Sequence, residues 1–230
     1  MTEPFQFSAI HLAILGATVV LPIALSLPAR GRPRLQHAIG WILAGILCLN
    51  EVSFLALSAF RPGMAWRETL PMHLCDWAVV CTVIALPFRK RLPYEAAFFW
   101  SLGGSVQAIL TPDIAPSTPA LFIAGFFVSH CTAVISVVFL TWTTPLRPVP
   151  RSLWRVFLLS NGYLAVAAVV NLLLGTNYGY LCRKPEQASL LDSLGPWPFY
   201  ILSLEVVLVI TMLVLYLPFW VADRRKRPGS

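Results

Sequence analysis

Seven times along the chain an apolar run approaches or exceeds 20 residues, about the length a helix needs to cross a hydrocarbon core roughly 30 Å thick. The runs cover 8–28, 37–60, 70–88, 93–112, 119–142, 153–174 and 198–221, and most connections between them are short. The pattern predicts an all-α membrane protein, a single integral domain over 1–230 folded as a seven-transmembrane-helix bundle. Composition agrees: 57% of residues are hydrophobic, 12% are charged and the mean hydropathy is +0.73, outside the usual range of a soluble domain. The leading segment MTEPFQFS has no Lys or Arg, unlike the positive start of a signal peptide, so the first run is expected to be a retained helix. The sequence contains no internal repeat or low-complexity segment.

The net charge of +7 invites a nucleic-acid reading, but the basic residues are distributed as topology signals. Thirteen of the 17 fall on one side of the expected bundle: Arg30, Arg32, Arg34, Arg89, Lys90, Arg91, Arg147, Arg151, Arg155 and the tail Arg224, Arg225, Lys226, Arg227. Four fall on the other: Arg61, Arg67, Arg183 and Lys184. The positive-inside rule then places the N-terminus outside and the C-terminus in the cytoplasm of a multi-pass protein of the bacterial plasma membrane. The expected partners are membrane phospholipids, including anionic lipid at the basic face, and not nucleic acid.

Four of the five cysteines, Cys48, Cys75, Cys81 and Cys131, fall within the runs and Cys182 lies in a loop, so no disulfide framework is expected. Counting about 1.5 Å per residue from the cytoplasmic helix ends puts Glu51, Cys75, Gln107, His130 and Glu205 at one level, roughly 18–22 Å up. His73 and Asp76 fall in the same band. Ionisable side chains inside membrane helices are costly, avoid lipid and mark functional sites by default.

Within LPMHLCDW, His73 and Cys75 are about 200° apart on a helix, whereas His73 and Asp76 are three apart and share a face. A base for Cys75 is therefore expected from another helix, and His130 is the other histidine at that level. A cysteine and histidine paired in a low-polarity pocket make a nucleophile able to attack an ester or thioester carbonyl. Taken singly, Cys75 reads as a small packed hydrophobe and His130 as a hydrogen-bonded core residue. Glu51 and Glu205 read as interhelical hydrogen-bond partners, and Asn171 and Gln107 as orienting groups. Trp100, Gly104, Gln107 and Thr111 form a stripe at helical spacing that suits close packing. In the long loop before the last run, Arg183 and Lys184 can hold a phosphate headgroup or serve as an interfacial anchor.

HLCD, YEAAFFWSLGGSVQAILTPD, FFVSH and NYGYLCRKPEQASLLDSLGPWPFY together resemble the YwaF-like bacterial integral membrane proteins, over most of the chain. That family is similar to a eukaryotic membrane acyltransferase that places polyunsaturated acyl chains into ether phospholipids and depends on a cysteine and a histidine. The resemblance implies Cys75 as the cysteine and His130 as the histidine. The expected function is a lipid acyltransferase or transacylase without a cofactor. Two alternatives stand beside it. One is a metal-dependent hydrolase gathering His73, Asp76, His130 and Glu51, although no HExxH motif is present. The other is a transporter or small-ligand receptor, although no paired broken helices suggest inverted repeats.

Overall fold

The computed structural model describes residues 6–60, 65–115, 117–185 and 190–225. Arg61, Lys226 and Arg227 of the basic inventory lie outside the described residues. The described residues are mostly helical, with no strand among them. In chain order the helices are α1 (Ala9–Ala29), α2 (Pro33–Ala59), α3 (Leu74–Phe88), α4 (Arg91–Trp100), α5 (Val106–Leu110), α6 (Ala120–Thr143), α7 (Pro150–Leu174) and α8 (Phe199–Arg225). A π turn, Ser101–Ser105, joins α4 to α5 without a break. Five helices, α1, α2, α6, α7 and α8, are long and apolar enough to cross a bilayer. Their outward faces carry Val19, Trp41, Leu172 and Leu213, each more than half exposed, and such faces are stable only in an apolar solvent. The protein is a multi-pass membrane protein.

The other two expected spans differ from the sequence reading for identifiable reasons. The run at 70–88 becomes a helix only from Leu74, giving α3 15 residues. Pro71 biases Leu70 away from helical geometry. The Asp76 carboxylate then accepts the backbone N–H of His73 at 2.8 Å and caps the helix there. At 1.5 Å per residue α3 is about 22 Å long, so it stops roughly 8 Å short of spanning a hydrocarbon core. The run at 93–112 is helical over 91–110, but the π turn shifts its register. The expected stripe Trp100, Gly104, Gln107, Thr111 crosses that turn and does not form one face: Trp100 is buried while Gly104 is exposed.

The core is built around α3 and α4, which pack on each other, with α2 and α6 against α3 and α7 against α4. Gly40 of α2 lets the helices approach closely, since a Cβ there would stand 3.1 Å from the backbone oxygen of Leu86. Trp100 donates its indole N–H to Ser160 of α7 at 2.8 Å, and Tyr94 shares a 2.7 Å hydrogen bond with Thr141 of α6. Glu95, fully buried, accepts from Arg91 at 3.0 Å and from Arg155 at 3.3 Å, tying α4 to the first turns of α7. His11 anchors α1: Nδ1 accepts the N–H of Phe7 at 2.8 Å, so Nε2 carries the proton and donates to the Ile109 carbonyl at 2.7 Å.

Candidate functional site

The short α3 determines where the candidate nucleophile sits. With His73 as the capping residue, Cys75 is the second residue of a helix whose N-terminus opens inside the bundle. The first-turn N–H groups of a helix give a local positive potential, which the Asp76 carboxylate beside the sulfur opposes. The side-chain partner of Cys75 is Asp76, with Sγ 3.8 Å from Oδ1. At the start of a helix the neighbouring carboxylate reaches the sulfur, and among the described residues no hydrogen bond joins Cys75 to His130.

His130 is buried in the middle of α6, which packs on α3. Cys75 and His130 each lie thirteen residues from the C-terminal ends of their helices, Phe88 and Thr143. His130 Nδ1 is 2.8 Å from the Phe126 carbonyl one turn back, and its ring packs on the Phe126 ring at 4.2 Å. A carbonyl only accepts, so Nδ1 carries the proton and the neutral ring presents Nε2 as an acceptor.

Glu51 of α2 accepts the hydroxyl of Ser129, the residue before His130, at 2.8 Å. Glu51 lies within electrostatic reach of Cys75 and Asp76, and His73 within reach of His130. The cluster thus draws on α2, the start of α3, and α6. His73 also packs edge-on against Tyr178 at 5.0 Å and against Tyr180 at 5.9 Å.

Those tyrosines come from the loop after α7. Asn171, expected to orient the catalytic pair, is fully engaged in building this loop. Its amide donates to the Tyr178 carbonyl at 2.9 Å, and its Oδ1 accepts from Tyr178 N–H at 2.7 Å and from Thr176 at 2.9 Å. The turn passes through Gly179 at φ 65°. Tyr178 then donates its hydroxyl to the Arg67 carbonyl at 2.6 Å, and Tyr180 donates to Asp113 at 3.0 Å. Tyr200 donates to the Tyr180 carbonyl. Burial and the Asp113 carboxylate push the Tyr180 phenol well above the ordinary tyrosine range, which keeps its hydroxyl a donor. Tyr163 of α7 donates to the Met72 carbonyl at 3.2 Å, beneath the same turn.

Four expected members stand apart. Gln107 donates to Thr111 on its own helix at 2.8 Å. Glu205 accepts from Asn161 at 3.3 Å, linking α8 to α7 and not to Glu51. Arg183 and Lys184 lie on the loop: the Asn177 side chain holds the Arg183 backbone, and Lys184 Nζ donates to the Asp192 carbonyl at 3.3 Å. No group of three or more His, Cys, Asp or Glu residues converges for a metal ion among the described residues. Asp76 accepts the N–H of His73 and lies against Cys75, and Glu51 accepts from Ser129.

Sequence reasoning missed Ser129, Asp113, Tyr163, Tyr178 and Tyr180. Ser129 carries a signal, a hydroxyl beside the histidine in VSHC, and NYGY carries another, two aromatics around a glycine. Neither reveals its partners until the helices are assembled.

The chain matches the family model described as "TMEM164 family" over residues 5–216. It is also 30% identical over 218 residues to a protein of Treponema pallidum (strain Nichols) described as uncharacterized, covering 93% of this chain and 89% of the relative. No solved structure matches. The chain belongs to the TMEM164 family.

Proposed function

We propose that this protein is a membrane-embedded lipid acyltransferase or transacylase that works through a Cys75 acyl-enzyme. The observation that carries the reading is the position of Cys75: second residue of a helix that begins inside the bundle, its thiol held by Asp76, beside a helix that presents His130 with Nε2 as acceptor. The likeness to YwaF-like proteins and to a cysteine- and histidine-dependent acyltransferase of ether phospholipids points to the same two residues.

In the first half-reaction the Cys75 thiol passes its proton to His130 Nε2, and the sulfur attacks the carbonyl carbon of a lipid ester. The C–S bond forms, the ester C–O bond breaks, and the leaving alkoxide takes the proton from His130. In the second half-reaction an acceptor hydroxyl gives its proton to His130 and attacks the thioester. The new ester forms, and the departing sulfur recovers the proton. Asp76 orients the thiol, and the N-terminus of α3 offsets part of the cost of negative charge at sulfur beside that carboxylate in both steps.

The reading includes seven crossings of the bacterial plasma membrane, with α3 and the 91–110 rod completing the set. The N-terminus lies outside and the C-terminus in the cytoplasm, which sets the reacting layer in the outer half of the bilayer. The thirteen-to-four division of basic residues supports that orientation. The test is acyl transfer between labelled phospholipids in nanodiscs. Cys75→Ala should abolish turnover, and His130→Ala should lower it by about 10²–10⁴, the usual loss for a general base. Full turnover in Cys75→Ala would sink the assignment.

A further inference from the structure

A cleft of about 1320 Å³ runs beside the candidate site, lined by residues of α7, of the loop that follows it and of α8. Its walls change character along its length. Leu164, Ala165, Ala168 and Leu172 of α7, facing Ile201 of α8, form an apolar trough floored by small side chains. Asn161 lies at the deep end of that trough and Leu172 at its loop end, about 16 Å apart along α7. At the loop end the lining becomes polar, with Arg183 and Lys184 on one side and His73 and Asp113 on the other. Arg183 is exposed, and Lys184 donates to the Asp192 carbonyl with its Nζ 5.6 Å over the Tyr200 ring. Asp113 accepts from Tyr180, and Glu68, the second acid of the lining, is exposed.

We propose that this cleft is a lateral lipid port: a glycerophospholipid enters between α7 and α8, its phosphate resting on Arg183 and Lys184 and one acyl chain lying along Ala165 and Ala168. The match is one of charge and shape. Two of the four basic residues on this side of the bundle line the polar end of a trough whose α7 wall is apolar at Leu164, Ala165, Ala168 and Leu172. The port leads to His73, which caps the helix bearing Cys75, so a chain seated in it brings its ester toward that helix. That last link rests on the acyltransfer reading; lipid occupancy does not.

The test uses the photoreactive residue p-benzoylphenylalanine in full-length protein, placed at Ala168 or, as a bulk-lipid control, at Leu158. Leu158 is on the same helix, 51% exposed and outside the cleft. The protein is reconstituted in phosphatidylcholine nanodiscs with a trace of radiolabelled phosphatidylglycerol. Crosslinking at Ala168 should fall about tenfold in Arg183→Ala/Lys184→Ala, the loss expected for charge-assisted contacts to phosphate, and crosslinking at Leu158 should not change. An Ala168 signal that ignores the double substitution overturns the proposal. In protein without that substitution, unlabelled phosphatidylglycerol should compete for the Ala168 signal and diacylglycerol, which lacks the phosphate, should not; equal competition overturns the proposal even if the double variant fails to fold. Cys75→Ala should leave the Ala168 crosslink intact. A retained crosslink without acyl transfer therefore refutes the reaction alone, whereas transfer with no phosphate-dependent crosslink refutes the port alone.

Discussion

Replacing Gly179 by alanine tests whether the tyrosine loop is docked as described. Gly179 sits at φ 65°, where an L side chain costs about 1–2 kcal/mol. A Cβ there would also meet the Tyr163 hydroxyl at 2.7 Å, so the turn or the ring has to move, at about 1–3 kcal/mol for overpacking of this kind. Together these destabilise the docked turn by about 2–5 kcal/mol. Gly175 is the control: it has nearly the same dihedral, φ 66°, but nothing lies within 4 Å of its Cβ position, so Gly175→Ala carries only the backbone cost of about 1–2 kcal/mol. Amide hydrogen exchange of the peptide covering 176–183, measured in nanodiscs, reads local opening directly. Exchange in Gly179→Ala should exceed that in Gly175→Ala by about 5- to 150-fold, the equivalent of 1–3 kcal/mol. Removing the clashing oxygen with Tyr163→Phe should bring the two close together, after allowing about 1 kcal/mol for the lost hydrogen bond to Met72. Equal exchange in the two glycine variants, or no rescue by Tyr163→Phe, would mean that the turn does not rest on Tyr163.

Three further outcomes follow from the same contacts. Gly40→Ala should lower the melting temperature, because the 3.1 Å approach to the Leu86 backbone oxygen leaves no flexible atom to give way; an unchanged melting temperature would contradict the α2–α3 packing. Glu95→Ala should destabilise by about 1–3 kcal/mol, less than a fully buried pair because Arg91 and Arg155 are roughly half exposed and can turn to water; thermal unfolding followed by tryptophan fluorescence would show it. An engineered cysteine at Ser117 should react with an impermeant maleimide from outside the cell and one at Ser230 only from the cytoplasm, and the reverse pattern would move the reacting layer to the other leaflet.

The apolar runs were legible because a membrane helix must satisfy its backbone internally and show lipid an apolar surface, so length and composition are close to sufficient. They located α1, α2, α6, α7 and α8 to within a few residues. What they missed was local backbone chemistry. Hydropathy continues smoothly through Leu70 and Met72, but the chain obeys Pro71 and the Asp76 cap, so α3 begins at Leu74. The π turn over SLGGS is equally silent, since one added residue per turn changes the register without changing composition. For polar residues, depth could be counted but partnership could not. Gln107 lay at a plausible level and is committed to Thr111, and Asn171 to the loop backbone, whereas Ser129 and Tyr180 gain their partners, Glu51 and Asp113, from segments far away in sequence. A single sequence read by spacing registers neighbours within one helix and not those across the bundle.

The central claim, a covalent acyl-enzyme on Cys75, is tested most directly by intact-protein and peptide mass spectrometry after incubation with labelled phospholipid. Cys75 should carry a hydroxylamine-sensitive acyl thioester that is absent in Cys75→Ala and forms about 10²–10⁴ times more slowly in His130→Ala. Cys48, Cys81 and Cys131 lie in the same bundle without a carboxylate against their sulfur and should stay unlabelled. Label spread equally over all four cysteines, or none on Cys75 while lipid turnover continues, would contradict the account.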